Sequence, residues 1–296
     1  MLNEKIINFI MLMRSTIQLL RFHFSLFLLP VYLFALSLLY KIDWIDAVVV
    51  FVILHVLVYP SSNGYNSYMD RDETPIGGLS KPLQPTRQLF YVTIVMDIIA
   101  VGFSLVISIY FATGVLLYIL ASRAYSYRGI RLKKFPFTGY LIVIIFQGAL
   151  TFFLSYHGSS VDKTLQIPFW PSLASSLLIG GYYPLTQIYQ HEADRQDGVT
   201  TISYMLGKKG SFVFSGLLFL VATSLLYFYF TRKDEQQNFF RFLLFTVPVV
   251  LFFCYWMIKV WHDGSSANFK NSLLMNIISM ICTSGYFAFL IATKLF

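Results

Sequence analysis

Long apolar runs separated by short polar stretches make up this chain. A helix needs about 17–25 apolar residues to cross a hydrocarbon core. Nine such runs can be laid out, at approximately 18–40, 45–66, 89–111, 113–128, 137–157, 170–190, 211–231, 239–261 and 272–293. The third and fourth are split only by the weak break Ala112-Thr113-Gly114, and Arg123 enters the fourth early. Lipid leaves no water to satisfy the backbone, so spans of this length must be helical. The pattern therefore predicts an all-α integral membrane protein of about nine transmembrane helices, forming a single domain over residues 1–296.

The polar positions inside these runs carry a repeat. Tyr59 to Glu73 reads YPSSNGYNSYMDRDE, and Tyr183 to Asp197 reads YPLTQIYQHEADRQD, at a constant offset of 124 residues. Asn63, Asn66, Asp70 and Glu73 answer Gln187, Gln190, Asp194 and Asp197. On an ideal helix, positions 0, 3, 7 and 10 fall within an arc of about 80°. Each copy then presents a stripe of oxygen-bearing side chains that ends in carboxylates. Asp72 lies about 180° from Asn63 on the same wheel and is a secondary candidate, serving only if the helix unwinds there. The offset places the stripes at the ends of the second and sixth spans, with four spans between equivalent points. This arrangement predicts a parallel internal repeat, roughly 15–135 and 136–260, similar in logic to transporter repeats.

Composition agrees with a membrane setting. The chain is 57% hydrophobic and only 12% charged, with a mean hydropathy of +0.66, where soluble domains carry about 25% charged residues. The net charge of +8 reflects loop bias and attraction to anionic lipid rather than nucleic acid. Of the 22 Lys and Arg residues, 16 fall in the N-terminus and the loops after spans two, four, six and eight, and six on the other side. The bias predicts a cytoplasmic N-terminus and an external C-terminus, with both stripes ending at the cytoplasmic face, as in a bacterial inner membrane. No small-residue cleavage site follows the first residues, so a removed signal peptide is not expected. Cys254 and Cys282 sit in separate apolar runs, without metal-ligand spacing.

Carboxylates at membrane depth are costly and by default mark a function. Two facing oxygen stripes suit hard cations such as Mg²⁺. Basic residues lie on the same side. Tyr125-Ser126-Tyr127-Arg128-Gly129-Ile130-Arg131-Leu132-Lys133-Lys134 follows span four, and Gly77 to Pro82, containing Lys81, follows span two. Cations beside a divalent-metal site suit a diphosphate. Asp-Gly-x-x-Ala-Arg, the pattern of CDP-alcohol transferases, is absent.

These residues resemble the UbiA superfamily of intramembrane prenyltransferases. Asn66-Ser67-Tyr68-Met69-Asp70-Arg71-Asp72-Glu73-Thr74 occupies the place of its Asn-Asp-x-x-Asp-x-x-x-Asp motif, and Gln190 to Asp194 and on to Asp197 that of its second, Asp-x-x-x-Asp type. Tyr125-Ser126…Arg131-Leu132-Lys133 and Thr201-Ile202…Leu206-Gly207 are also similar to family segments. Ser67, Thr74 and Gln190 stand where the family commonly has acids. The resemblance implies a UbiA-like helical bundle and Mg²⁺-dependent transfer of a prenyl group. The donor would be a polyprenyl diphosphate and the acceptor an aromatic or otherwise lipophilic compound. It further implies Asn66, Asp70, Glu73, Asp194 and Asp197 as metal ligands, with Asp70 and Asp194 catalytic. Lys81, Arg128, Arg131 and Lys133 would hold the diphosphate. Asn63, Asp72, Gln187 and Gln190 are secondary. Tyr65, Tyr68, Tyr125 and Tyr189 are candidates to face an allylic cation. A UbiA-like terpene cyclase, a cation-coupled transporter and a non-enzymatic scaffold are the alternatives.

Overall fold

The computed structural model describes residues 12–294. Its architecture is a bundle of long helices: α1 (Arg14–Ser37), α2 (Trp44–Asp70), α3 (Arg87–Ile107), α4 (Ile109–Ser126), α5 (Pro136–Ser159), α6 (Phe169–Gln187), α7 (Ile202–Arg232), α8 (Gln236–His262) and α9 (Phe269–Lys294). Eight are long and apolar enough to cross a membrane. The remaining one, α6, is 19 residues long. It carries Ser172, Ser175, Ser176, Gly180, Gly181 and Pro184 on buried positions, so its polarity faces protein rather than lipid.

Several boundaries follow from side-chain caps. Asp43, Ser108, Thr201 and Asn268 each accept a backbone N–H from the first turn of α2, α4, α7 and α9, which satisfies donors that helix starts leave free. The α3–α4 break falls at Ser108, not at Ala112-Thr113-Gly114. Ser108 is extended (φ −174°, ψ 163°), caps α4 through Phe111 N–H, and bonds His157 Nε2 at 2.6 Å. Gly114 instead lies within α4, where a Cβ would come 2.8 Å from Leu154 Cδ2.

Two helices are locally widened. Val52–Val58 in α2 and Ile144–Leu150 in α5 are π-helical. The first ends two residues before Pro60, which has no N–H to donate, and widened turns accommodate such a missing bond. In α6 the corresponding Pro184 sits inside the helix.

Among the described residues, one ion pair joins two of the spans. Arg123 of α4 pairs with Asp97 of α3, donates to Ser61 Oγ at 3.1 Å, and lies 3.9 Å over the Tyr65 ring. Arg123 thus sits inside α4, which runs on to Ser126. The network ties α2, α3 and α4 together near the end that carries Asp70.

The pair is partly buried, so breaking it leaves the partner charge uncompensated at a cost below the about 3–5 kcal/mol of a fully buried pair. Asp97→Ala should therefore lower the thermal midpoint of the detergent-solubilised protein markedly. The double change Asp97→Ala with Arg123→Leu should recover part of that loss. A reporter after Phe296 and one inserted near Lys133 should report opposite membrane faces.

Candidate functional site

Both polar stripes sit where helices stop. α2 ends at Asp70, and Arg71 takes a left-handed conformation (φ 55°, ψ 42°) with its N–H on Ser67 O. The chain then turns back through Ile76–Leu79, where Gly78 has φ 81°. Because the backbone leaves the helix at Arg71, Asp72 swings into the cavity and Glu73 goes to the surface. In the second copy α6 ends at Gln187. A turn leads to a short helix, His191–Gln196, which brings Asp194 to the cavity while Asp197 lies outside it. The ideal-helix wheel therefore holds for the first three positions of the first stripe and fails beyond Asp70.

The cavity has two connected halves, each of about 200 Å³. Asn63, Asn66, Asp70, Asp72, Lys133, Gln187, Gln190 and Asp194 line its mouth. Phe24, Ser62, Asn63, Tyr118, Gln147, Tyr183 and Thr186 line both halves and form the junction. Among the described residues, no charged side chain lines the inner half.

Asp70 is the hub of the mouth, with its side chain 4% exposed. Its Oδ2 accepts from Asn66 Nδ2 at 2.9 Å and pairs with Lys133, and Arg131 Nη2 lies 3.7 Å from Oδ1. Oδ1 itself is buried without a hydrogen-bond donor, as is Gln187 Oε1. Asp194 accepts from Thr201 Oγ1 at 3.3 Å. Burial raises Asp194 to about 6, partly opposed by Lys133 and Thr201. Asp72 is also pushed up to about 6, first by burial and then by Asp70. Both carboxyls lack enough nearby positive charge to hold their ordinary range.

The basic residues divide. Lys133 lines the cavity. Arg131 pairs with Asp197 at its rim. Arg128 is exposed and caps α2, donating from Nε to Met69 O at 2.7 Å and from Nη2 to Asp70 O at 3.3 Å. Lys81 is exposed and away from the cavity. Among the tyrosines, Tyr125 lines the mouth and bonds Tyr183 OH. Tyr65 lies under Arg123, Tyr68 packs 5.2 Å from Phe90, and Tyr189 meets Phe269 edge-on at 5.4 Å.

Arg21 escaped the motif-based reading. It interrupts α1 in a left-handed conformation (φ 49°, ψ 50°), is 5% exposed, and lines the mouth. Its guanidinium donates to Gly77 O at 3.1 Å and Asn63 O at 3.0 Å. Carbonyls hold its direction without neutralising its charge. The available signal was an arginine within the first apolar run, which by itself marks a functional position.

The mouth offers oxygen ligands of the kind that hard cations take, including two buried oxygens with no donor. Among the described residues no three His, Cys, Asp or Glu are already grouped as a metal cage. Mg²⁺ commonly uses one or two carboxylates together with waters and phosphate oxygens, so the donor set fits a cation that arrives with an anionic ligand.

A family model for UbiA prenyltransferases matches residues 26–279. The chain belongs to the UbiA prenyltransferase family. As a member of that family, with its apolar helices, it is an integral membrane protein. No curated protein matches it in sequence. Solved structures of UbiA homologs share the fold. One, from Archaeoglobus fulgidus and bound to DMAPP and Mg²⁺, is 17% identical with a TM-score of 0.70, covering 94% of this chain and 99% of that one. The apo UbiA homolog from Aeropyrum pernix K1 is 19% identical, with a TM-score of 0.67 and coverage of 93% and 99%. A digeranylgeranylglyceryl phosphate synthase is 20% identical, with a TM-score of 0.61 and coverage of 94% and 98%. Nothing in these likenesses favours a transporter or a terpene cyclase.

Within this UbiA family member, Arg128 holds the 127–135 loop to the end of α2. Arg128→Ala should raise amide hydrogen exchange over residues 127–131 and leave the cores of α2 and α4 protected.

Proposed function

We propose that the chain transfers a prenyl group from a prenyl diphosphate to a lipophilic acceptor within the membrane, with Mg²⁺ as cofactor. The observation that carries this reading is a single cavity whose charged mouth opens into an uncharged inner half, in a chain of the UbiA prenyltransferase family. The Archaeoglobus homolog of the same fold was solved with DMAPP and Mg²⁺.

Charge accounting explains the cation. Asp70, Asp72 and Asp194 face the mouth against Arg21 and Lys133. A diphosphate would add further negative charge to carboxyls that burial already disfavours in ionised form. Bound there, Mg²⁺ would supply positive charge to offset the carboxylates and the phosphate oxygens of the diphosphate. Asp70, Asp194 and Asp72 would hold it, with Asn66 and Gln187 as amide oxygen donors. Glu73 and Asp197 lie outside the cavity and are not assigned to it.

The protein's own groups do the remaining work. Arg21, Lys133 and Arg131 orient the diphosphate oxygens, and charge-assisted bonds there stabilise charge as it develops. Tyr118 and Tyr183 stand at the junction, where the bond to the diphosphate would break. Their ring faces suit a developing allylic cation. The uncharged inner half receives the hydrocarbon tail and excludes water. The 16-to-six basic bias supports a cytoplasmic mouth.

Asp70→Ala and Asp194→Ala should abolish Mg²⁺-dependent diphosphate release while the protein remains folded. Excess EDTA should do the same to the unmodified protein. Glu73→Ala, an exposed change, should stay within about threefold of full activity. Full activity of Asp70→Ala in EDTA would sink the proposal. Arg21→Ala should weaken binding of inorganic diphosphate with Mg²⁺ about tenfold or more, given about 1.5–3 kcal/mol for a charge-assisted bond. Calorimetric titration reads this directly, and Lys81→Ala should be silent in it.

A further inference from the structure

The inner half of the cavity is a slot with a closed end. Helices α1, α6 and α9 each contribute residues three or four apart, so the slot follows the helix axes. On α1 it runs from Phe24 at the junction to Phe34, and on α9 from Asn276 to Phe287. Phe24 and Phe34 are ten residues apart, or about 15 Å along a helix. That is roughly half the hydrocarbon thickness of a bilayer, about 30 Å.

Aromatic rings close the far end. Phe34 and Phe287 stack at 4.5 Å with an interplanar angle of 18°. Phe152 meets Phe34 edge-on at 5.4 Å, and Tyr286 lies 5.0 Å from Phe287. Phe34 is 1% and Phe287 2% exposed. Tyr286 is pinned from the opposite end by its hydroxyl, which donates to Asn238 O at 2.8 Å. Rings packed on both sides at interior density cannot yield to a longer ligand without repacking.

We propose that the stacked Phe34–Phe287 pair is the floor that limits the length of the prenyl tail. This rests on the proposed function and narrows its donor to a short allylic diphosphate. Three backbone bonds extend about 3.5 Å, so the four bonds of an extended isoprene unit span roughly 5 Å. A slot of about 15 Å then takes about three such units. The diphosphate stays at Arg21 and Lys133, the first carbon lies at the junction, and the last unit meets the two rings. A further unit must displace Phe287 or leave the slot.

Binding of dimethylallyl, geranyl, farnesyl and geranylgeranyl diphosphates, with inorganic diphosphate as the head-group control, tests this in Mg²⁺ by calorimetric titration of the purified full chain. Affinity should rise with each unit up to farnesyl and then stop rising or fall. Phe287→Ala should move that break to geranylgeranyl. Thr283→Phe, which fills the slot one turn above the floor, should move it to geranyl. Each shift should change the ratio of neighbouring donors by about tenfold or more, since even one methylene in a hydrophobic pocket gives about 10–200-fold. Phe287→Leu serves if the alanine variant fails to fold. Inorganic diphosphate should bind all variants alike. Affinity that keeps rising through geranylgeranyl in the unmodified protein, or a break unmoved by both variants, would overturn the floor alone. Failure of inorganic diphosphate to bind the unmodified protein would remove the functional reading, and the floor with it.

Discussion

A carboxylate carried to the edge of a lipid-embedded cavity must be compensated, and the compensation of Asp70 organises this end of the bundle. Asn66, one turn earlier, donates to it. Lys133 and Arg131 reach it from the loop after α4. Arg128 takes the carbonyls of Met69 and Asp70. A loop rich in cations is thereby folded over the mouth, and Arg131 extends the contact to Asp197 of the second copy. The compensation is incomplete by design of the donor set, since one oxygen of Asp70 remains without a donor. Buried oxygens of this kind are rare unless something else satisfies them.

The helix ends distribute the roles. Left-handed Arg71 decides that Asp72, rather than Glu73, faces the cavity. The stop at Gln187 and the restart at His191 bring Asp194 inward and leave Asp197 on the rim. Left-handed Arg21 turns a cation of the first span toward the same point. Three departures from regular helix thus assemble one site, consistent with the tendency of irregular backbone to line cavities in membrane proteins.

Much of this was legible in the sequence for physical reasons. Apolar run length is dictated by bilayer thickness, so the span boundaries appeared to within about four residues, except the start of α7, where Gly207, Lys208 and Lys209 interrupt the apolar run. The spacing of Asn63, Asn66 and Asp70 is a true helical face, and these residues do share the cavity. Glu73 and Asp197 fall outside the cavity because the wheel assumes a helix that the chain has already left, and Lys81 because nothing local says which way an exposed turn points its lysine. Ser108 was overlooked because a one-residue break caps its helix with an ordinary serine, without Gly or Pro to announce it. The side-chain hydrogen-bond partners of Arg21 and of the Asp97–Arg123 pair lie far away in sequence, so no local pattern could join them. Tyr118 and Tyr183 were hidden for the same reason: a helical periodicity cannot say which tyrosine among 20 stands at the junction between the two halves of the cavity.

The charge-free lining of the inner slot carries a chemical consequence. Among the described residues that line it there is no carboxylate, imidazole or amine. A carbocation whose chain lies in that slot meets hydroxyl, amide and ring groups but no base strong enough to strip a proton. Elimination to a diene is therefore suppressed along the whole tail. Among the described residues the nearest oxyanions are at the mouth, so under the proposed reaction a proton shed by the acceptor would leave there, beside the diphosphate. Under that reading, bond formation and proton loss would be confined to the same few ångströms of the protein.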